Sequence, residues 1–115
     1  MLKVRTELVG DVTVIRFSGK ITIYKGDEIL RDAVDDALKV GSKKLLLDLT
    51  NVSYIDSAGM GQLVAAYKRV FVDSKIPFKL LTRTSGRATD LLTLTRASDW
   101  LSIYTKEADA LASFK

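Results

Sequence analysis

The run Asp56-Ser57-Ala58-Gly59-Met60-Gly61 places a carboxylate, a hydroxyl and two glycines within six residues, at the start of a helical pattern. A glycine inside a helix costs about 1 kcal/mol relative to alanine, so something must offset the pair. One account is structural: bare backbone lets a neighbouring segment pack closely, with Asp56 or Ser57 as an ordinary N-cap. The other is functional: the glycines leave the Ser57 hydroxyl open to a partner. The unpaired N–H groups and partial positive charge of a helix N-terminus would also tolerate a phosphate added there. The residues alone leave both accounts open.

Most other chemistry is excluded. The 115 residues contain no histidine and no cysteine. Imidazole bases, histidine metal sites, cysteine-ligated zinc, disulfides and thiol catalysis are therefore absent. A nucleophile elbow needs G-x-S-x-G, but position 55 is Ile55, and no glycine pair precedes the Lys of a P-loop. Asp48 lies inside a predicted strand, so Asp48 and Asp56 are read as structural aspartates and not as a catalytic pair. No catalytic residue, cofactor or metal is expected, and the chain is not read as an enzyme.

The net charge of +4 comes from 18 Lys plus Arg against 14 Asp plus Glu. The cations are scattered (Lys43 and Lys44, Lys68 and Arg69, Arg83 and Arg87), which describes solvated faces and not a nucleic-acid-binding arm. No apolar run approaches the roughly 18 to 20 residues of a membrane-spanning helix, and Met1 to Glu7 lacks the apolar stretch of a secretory signal. A cytoplasmic protein with no membrane span and no direct nucleic-acid partner is expected. At 47% hydrophobic and 28% charged, residues 1–115 suit one domain.

The elements that must position the Ser57 segment follow from periodicity. Leu2 to Val9 and Val12 to Ser18, separated by Gly10-Asp11, read as a β-hairpin, with Lys20 to Tyr24 extended beyond it. Ile29, Leu30, Ala33, Val34, Ala37 and Leu38 form the stripe of a helix from Asp27 to Val40, stopped by Gly41. Leu45 to Leu49 reads as a central strand and Thr50 to Asp56 as a polar loop. A second helix runs from Ser57 to Ser74 on Met60, Leu63, Val64, Tyr67 and Phe71, ending before Pro77. Phe78 to Thr82 is another strand, followed by a helix capped by Thr84 or Ser85 and carrying Ala88, Leu91 and Leu92. Leu101 to Tyr104 reads as an edge strand opened by Trp100, whose indole packs in the core or at its edge or, if exposed, marks an interface. Thr105 caps a last helix with Ala108, Leu111 and Ala112 inward. The predicted fold is α/β: a mixed sheet with an antiparallel start, then parallel strands joined by right-handed crossovers.

The run Leu47 to Gly61 (LDLTNVSYIDSAGMG), followed by an amphipathic helix, resembles the signature of bacterial anti-sigma factor antagonists, the STAS domain family. Phe17-Ser18-Gly19-Lys20-Ile21 resembles the family's second strand, and Asp90-Leu91-Leu92 with Leu94-Thr95 its third helix. The resemblance implies a mixed sheet with about four α-helices packed to one side. It also implies that Ser57 is the phosphoacceptor offered to a cognate anti-sigma factor serine kinase with a histidine-kinase-like ATPase fold. In that scheme the unphosphorylated antagonist binds the kinase and frees a sigma factor, and a PP2C-type phosphatase reverses the modification. Asp56 matches the acidic residue before the phosphoacceptor and Gly59 the loop glycine, with Ala58, Met60, Thr22 and Tyr24 as further partner contacts. For Tyr24 an aromatic rim over the core is the competing reading.

This chain departs from the pattern at two positions. Thr22 stands where many members carry an acidic residue, and Ala58 where a second Ser or Thr is common, so Ser57 is the only hydroxyl of the motif. The alternative role within the family is an unmodified subunit of a signalling or lipid-transport assembly.

Overall fold

The computed structural model describes residues 1–115, apart from the side chain of Ser98. The β-branched alternation of the first segments builds β1 (Lys3–Val9) and β2 (Val12–Ile21), which pair antiparallel from Lys3↔Ser18 to Val9↔Val12. The chain then crosses through α1 (Gly26–Lys39) to β3 (Leu45–Ile55), which lies parallel to β2. Gly41, at φ +81, closes α1: its amide donates to the Leu38 carbonyl and that of Ser42 to Ala37, a Schellman stop. α2 (Ser57–Tyr67) continues into a π-helical turn, Lys68–Asp73, and returns to β4 (Phe78–Leu81). α3 (Arg87–Leu94), a 3₁₀ turn at Ala97–Asp99, β5 (Ser102–Tyr104) and α4 (Glu107–Ala112) complete the chain. The sheet order is β1-β2-β3-β4-β5, parallel from β2 onward, as the predicted mixed α/β fold requires.

Period-2 alternation divides the core into two clusters. Ile15, Phe17, Leu45, Leu47, Leu49 and Leu80 meet Leu30 and Val34 of α1, Leu63 of α2 and Leu92 of α3 on one face. Each fully buried aliphatic side chain there stabilises the fold by about 1.5–3 kcal/mol. Val12, Val14, Leu46 and Leu81 point the other way and are covered by Ala110 and Phe114. Three helices therefore share one face, and the short α4 alone lies on the opposite one.

Several local boundaries differ from the sequence reading. Thr50 to Ile55 is strand, not loop: β3 takes up an extra residue at each of two bulges, opposite Arg16–Ser18 and Gly19–Lys20, and pairs Val52 with Gly19 and Ile55 with Ile21 of β2. In the second helix Ala66 and Val70 are buried in place of Val64 and Phe71, which are exposed. Neither Thr84 nor Ser85 caps α3, where Gly86 at φ +125 occupies the N-cap position. Thr105 does not cap α4 either: Lys106 takes that place, and Ala110 and Phe114 face inward while Ala108 and Ala112 are exposed.

Candidate functional site

The site forms where the C-terminal ends of β2 and β3 meet the start of α2. Asp56 is the N-cap of α2, in extended conformation, and its Oδ1 accepts the Gly59 amide at 2.9 Å. Its Oδ2 accepts the Ile23 amide at 2.9 Å, so one carboxylate holds both the helix start and the turn after β2. The Gly59 and Ile23 amides, in that order, together with a weaker contribution from Ala58, hold the Asp56 carboxyl below the usual aspartate range.

Gly59 packs directly against β2. A Cβ built on it would overlap the Ile21 carbonyl oxygen and lie 2.8 Å from Ile21 Cγ2. The close-packing account therefore holds at Gly59. At Gly61 it does not: nothing lies within 4 Å of a Cβ built there, and the position faces solvent. The helix-propensity cost of Gly61 is not offset by any packing inside the molecule.

Ser57 is the first helical residue of α2 and is exposed, with Ala58 half-buried beside it and Met60 buried beneath. Thr22 is half-buried, and its carbonyl accepts the Asp27 amide at 3.0 Å, closing the turn that leads into α1. Tyr24 is 81% exposed, so it forms no rim over the core. It also sits at φ +84, a backbone conformation unusual for an aromatic residue and held by the turn around it. The structure thus gathers Thr22, Tyr24, Asp56, Ser57, Ala58, Gly59 and Met60 on two adjoining segments joined through Asp56.

Two features of this surface are not visible in the sequence motif. Ile23 is exposed, although its place in an apolar run reads as strand. Val64, about two turns along α2 from Ser57, adds an exposed apolar side chain where the helical stripe predicts burial. Beyond it Tyr67 stacks on Phe71 at 5.4 Å and meets the edge of Trp100 at 4.9 Å, which places the indole at the rim of the core. Asp48 is remote in role from Asp56: it is 5% exposed and accepts the Arg16 guanidinium at 2.8 Å and the Thr50 amide at 2.9 Å. Among the described residues no group of three or more His, Cys, Asp or Glu is placed to hold a metal ion.

The model of the STAS domain matches residues 3–110. The chain belongs to the STAS domain family. This STAS domain superposes on an anti-sigma factor antagonist from Mycobacterium paratuberculosis with a TM-score of 0.88, at 22% identity over 98% of this chain and 93% of that one. It is also similar to SpoIIAA, a cell fate determinant of Bacillus, in two states. The unphosphorylated anti-sigma factor antagonist matches with a TM-score of 0.69, at 15% identity over 97% of each chain. The phosphorylated form matches with a TM-score of 0.72, at 18% identity over 98% of this chain and 100% of that one. The STAS domain thus has the fold of the anti-sigma factor antagonists, and among the described residues no helix is long and apolar enough to cross a membrane.

Proposed function

We propose that this STAS domain, residues 1–115, is a cytoplasmic anti-sigma factor antagonist, a regulator and not an enzyme. Its partner is an anti-sigma factor serine kinase of histidine-kinase-like ATPase fold, bound through the surface around Ser57. The observation that carries this reading is the exposed Ser57 at the N-terminus of α2, flanked by exposed Ile23 and Tyr24. Gly61 and Val64 extend that surface along α2, and a backbone approaching Gly61 would explain a glycine that nothing inside the domain requires.

Phosphorylation acts as the off switch. The Ser57 oxygen attacks the γ-phosphorus of ATP held by the kinase, its proton passes to a base on the kinase, and ADP leaves. The product carries about −1.5 to −2 charge at a helix N-terminus, where the α2 amides keep the fold intact. The same charge stands beside the Asp56 carboxylate and on a surface that must shed water to bind, so it ejects the partner. A PP2C-type phosphatase hydrolyses the ester with water, which returns the hydroxyl and releases inorganic phosphate.

The test is intact mass after incubation with ATP and the candidate kinase, with site mapping by fragmentation. One phosphate on Ser57, absent in Ser57→Ala, together with loss of kinase binding in Ser57→Asp, is expected. No modification where the same kinase phosphorylates another antagonist would move the assignment to an unmodified STAS subunit of a signalling or lipid-transport assembly.

A further inference from the structure

The free edge of β1 carries a pattern that none of the switch chemistry uses. All of Lys3 to Leu8 is exposed, and the strand pairs with β2 over its whole length without a bulge or proline. Such an edge is a template for pairing with another strand. The two-residue turn Gly10-Asp11, with Gly10 at φ +63, makes Val9–Val12 the closing hydrogen-bonded pair of the hairpin. Counting back by twos, Glu7 and Arg5 bond toward β2, whereas Val4, Thr6 and Leu8 turn their N–H and C=O groups outward.

The sequence along that edge, Lys3-Val4-Arg5-Thr6-Glu7-Leu8-Val9, is self-complementary about Thr6. Antiparallel pairing with an identical strand, centred on Thr6, puts Arg5 opposite Glu7 of the second copy, and Glu7 opposite its Arg5. Val4 then meets Leu8 on the other face. Thr6 pairs with Thr6 by two backbone bonds, and Arg5–Glu7 falls at the non-hydrogen-bonded positions, where cross-strand side chains come closest.

The charges within one copy leave this arrangement unfilled. Arg5 lies directly opposite Arg16 in the β1–β2 ladder, an unfavourable like-charge pairing. Its own-chain Glu7 is 3.9 Å away and is already bonded to the Arg16 guanidinium. In the dimer the second copy's Glu7, which also holds its own Arg16, would share its carboxylate with Arg5 across the interface. On the helix side Val4 and Leu8 form one wall of an open groove of about 1010 Å³, whose other wall is Ile29, Ala33 and Val40 of α1 and the loop after it. The two grooves would join across the two-fold axis.

We infer that the STAS domain forms a symmetric homodimer through antiparallel β1–β1 pairing centred on Thr6, making one continuous ten-stranded sheet. The interface uses different elements from the Ser57 surface, so either can fail without the other.

Sedimentation equilibrium of the whole chain from micromolar to millimolar concentration tests it, together with amide exchange at both extremes. The expected mass rises from 12.7 kDa to twice that value. Exchange at the Val4, Thr6 and Leu8 amides slows with concentration. Arg5→Glu sets carboxylate against carboxylate at both symmetry-related pairs, raises the dimer dissociation constant about tenfold or more, and restores fast exchange at these amides. Leu8→Lys, at an exposed site, does the same and decides the matter if Arg5→Glu does not fold. A monomer throughout, or a dimer whose β1 amides exchange freely or which survives both substitutions, overturns the inference.

Discussion

The carboxylate of Asp56 holds the amide of Ile23 at 2.9 Å across 33 positions of sequence. Because the same carboxylate caps α2 through Gly59, the orientation of the turn carrying Ile23 and Tyr24 depends on the start of the helix that presents Ser57. Removing the carboxylate should release both. Asp56→Ala is expected to cost about 1–2 kcal/mol from the lost cap, read as a lower urea midpoint. Amide exchange should accelerate at Ile23 and Gly59 first. If Ile23 exchange is unchanged while Gly59 speeds up, the turn is held by other contacts.

Acid should weaken this junction. Hydrogen bonds from Gly59 and Ile23 hold Asp56 below the usual aspartate range, and the Arg16 hydrogen bond holds Glu7 below that of glutamate. In the unfolded chain these groups titrate near about 3.9 and 4.3. Their contribution is therefore fully present above those values and is lost as pH falls through the lower folded ones, because the unfolded state then binds more protons. Urea midpoints at pH 7 and pH 3 should show the loss, and Asp56→Asn should show a smaller difference between the two pH values. An equal difference in the variant would remove Asp56 from the account.

The two motif glycines should respond oppositely to a methyl group. Gly59→Ala forces a Cβ into the Ile21 backbone, which cannot rotate away as a side chain would, and should destabilise by about 1–3 kcal/mol. Gly61→Ala meets open space and should stabilise by about 0.5–1 kcal/mol through helix propensity. Under the proposed function the same Gly61→Ala should weaken kinase binding, since the methyl group stands on the docking surface. Thermal unfolding and a titration against the kinase separate the effects. Unchanged affinity would leave Gly61 outside the interface.

The order of strands and helices was legible because the β-branched run of β2 and the 3.6-residue stripe of α1 each carry the pattern of their element. What escaped were features set by neighbours far along the chain. Thr50 to Tyr54 reads as a polar loop, yet it is strand because β2 continues to Ile21 and β3, bulged twice, pairs along it. The inward face of the last helix shifted to Ala110 and Phe114, since its register is set by Leu46 and Leu81 beneath it. At the site, Ser57 and Asp56 stood out as a hydroxyl and a cap. The bond from Asp56 to Ile23 did not, because no local pattern records a contact between two segments 33 positions apart.

Arg16 gathers three carboxylates that sequence spacing could not bring together: Glu7 from β1, Asp48 from β3 and Glu107 from α4. Glu107 accepts at 2.6 Å and Asp48 at 2.8 Å, which ties α4 to the face of the sheet it covers. Asp48 is buried, and the bonds from Thr50 do not neutralise its charge. Arg16→Met should therefore cost about 3–5 kcal/mol, most of it the penalty of an unpaired buried carboxylate and not the worth of the ion pair itself. The double variant Arg16→Met with Asp48→Leu removes that charge as well and should regain a large part of the loss. Urea denaturation of the wild type, the two single variants and the double variant closes the cycle. If the double variant is as unstable as the sum of the single ones, the cluster acts by tethering α4 through Glu107 and not by neutralising Asp48.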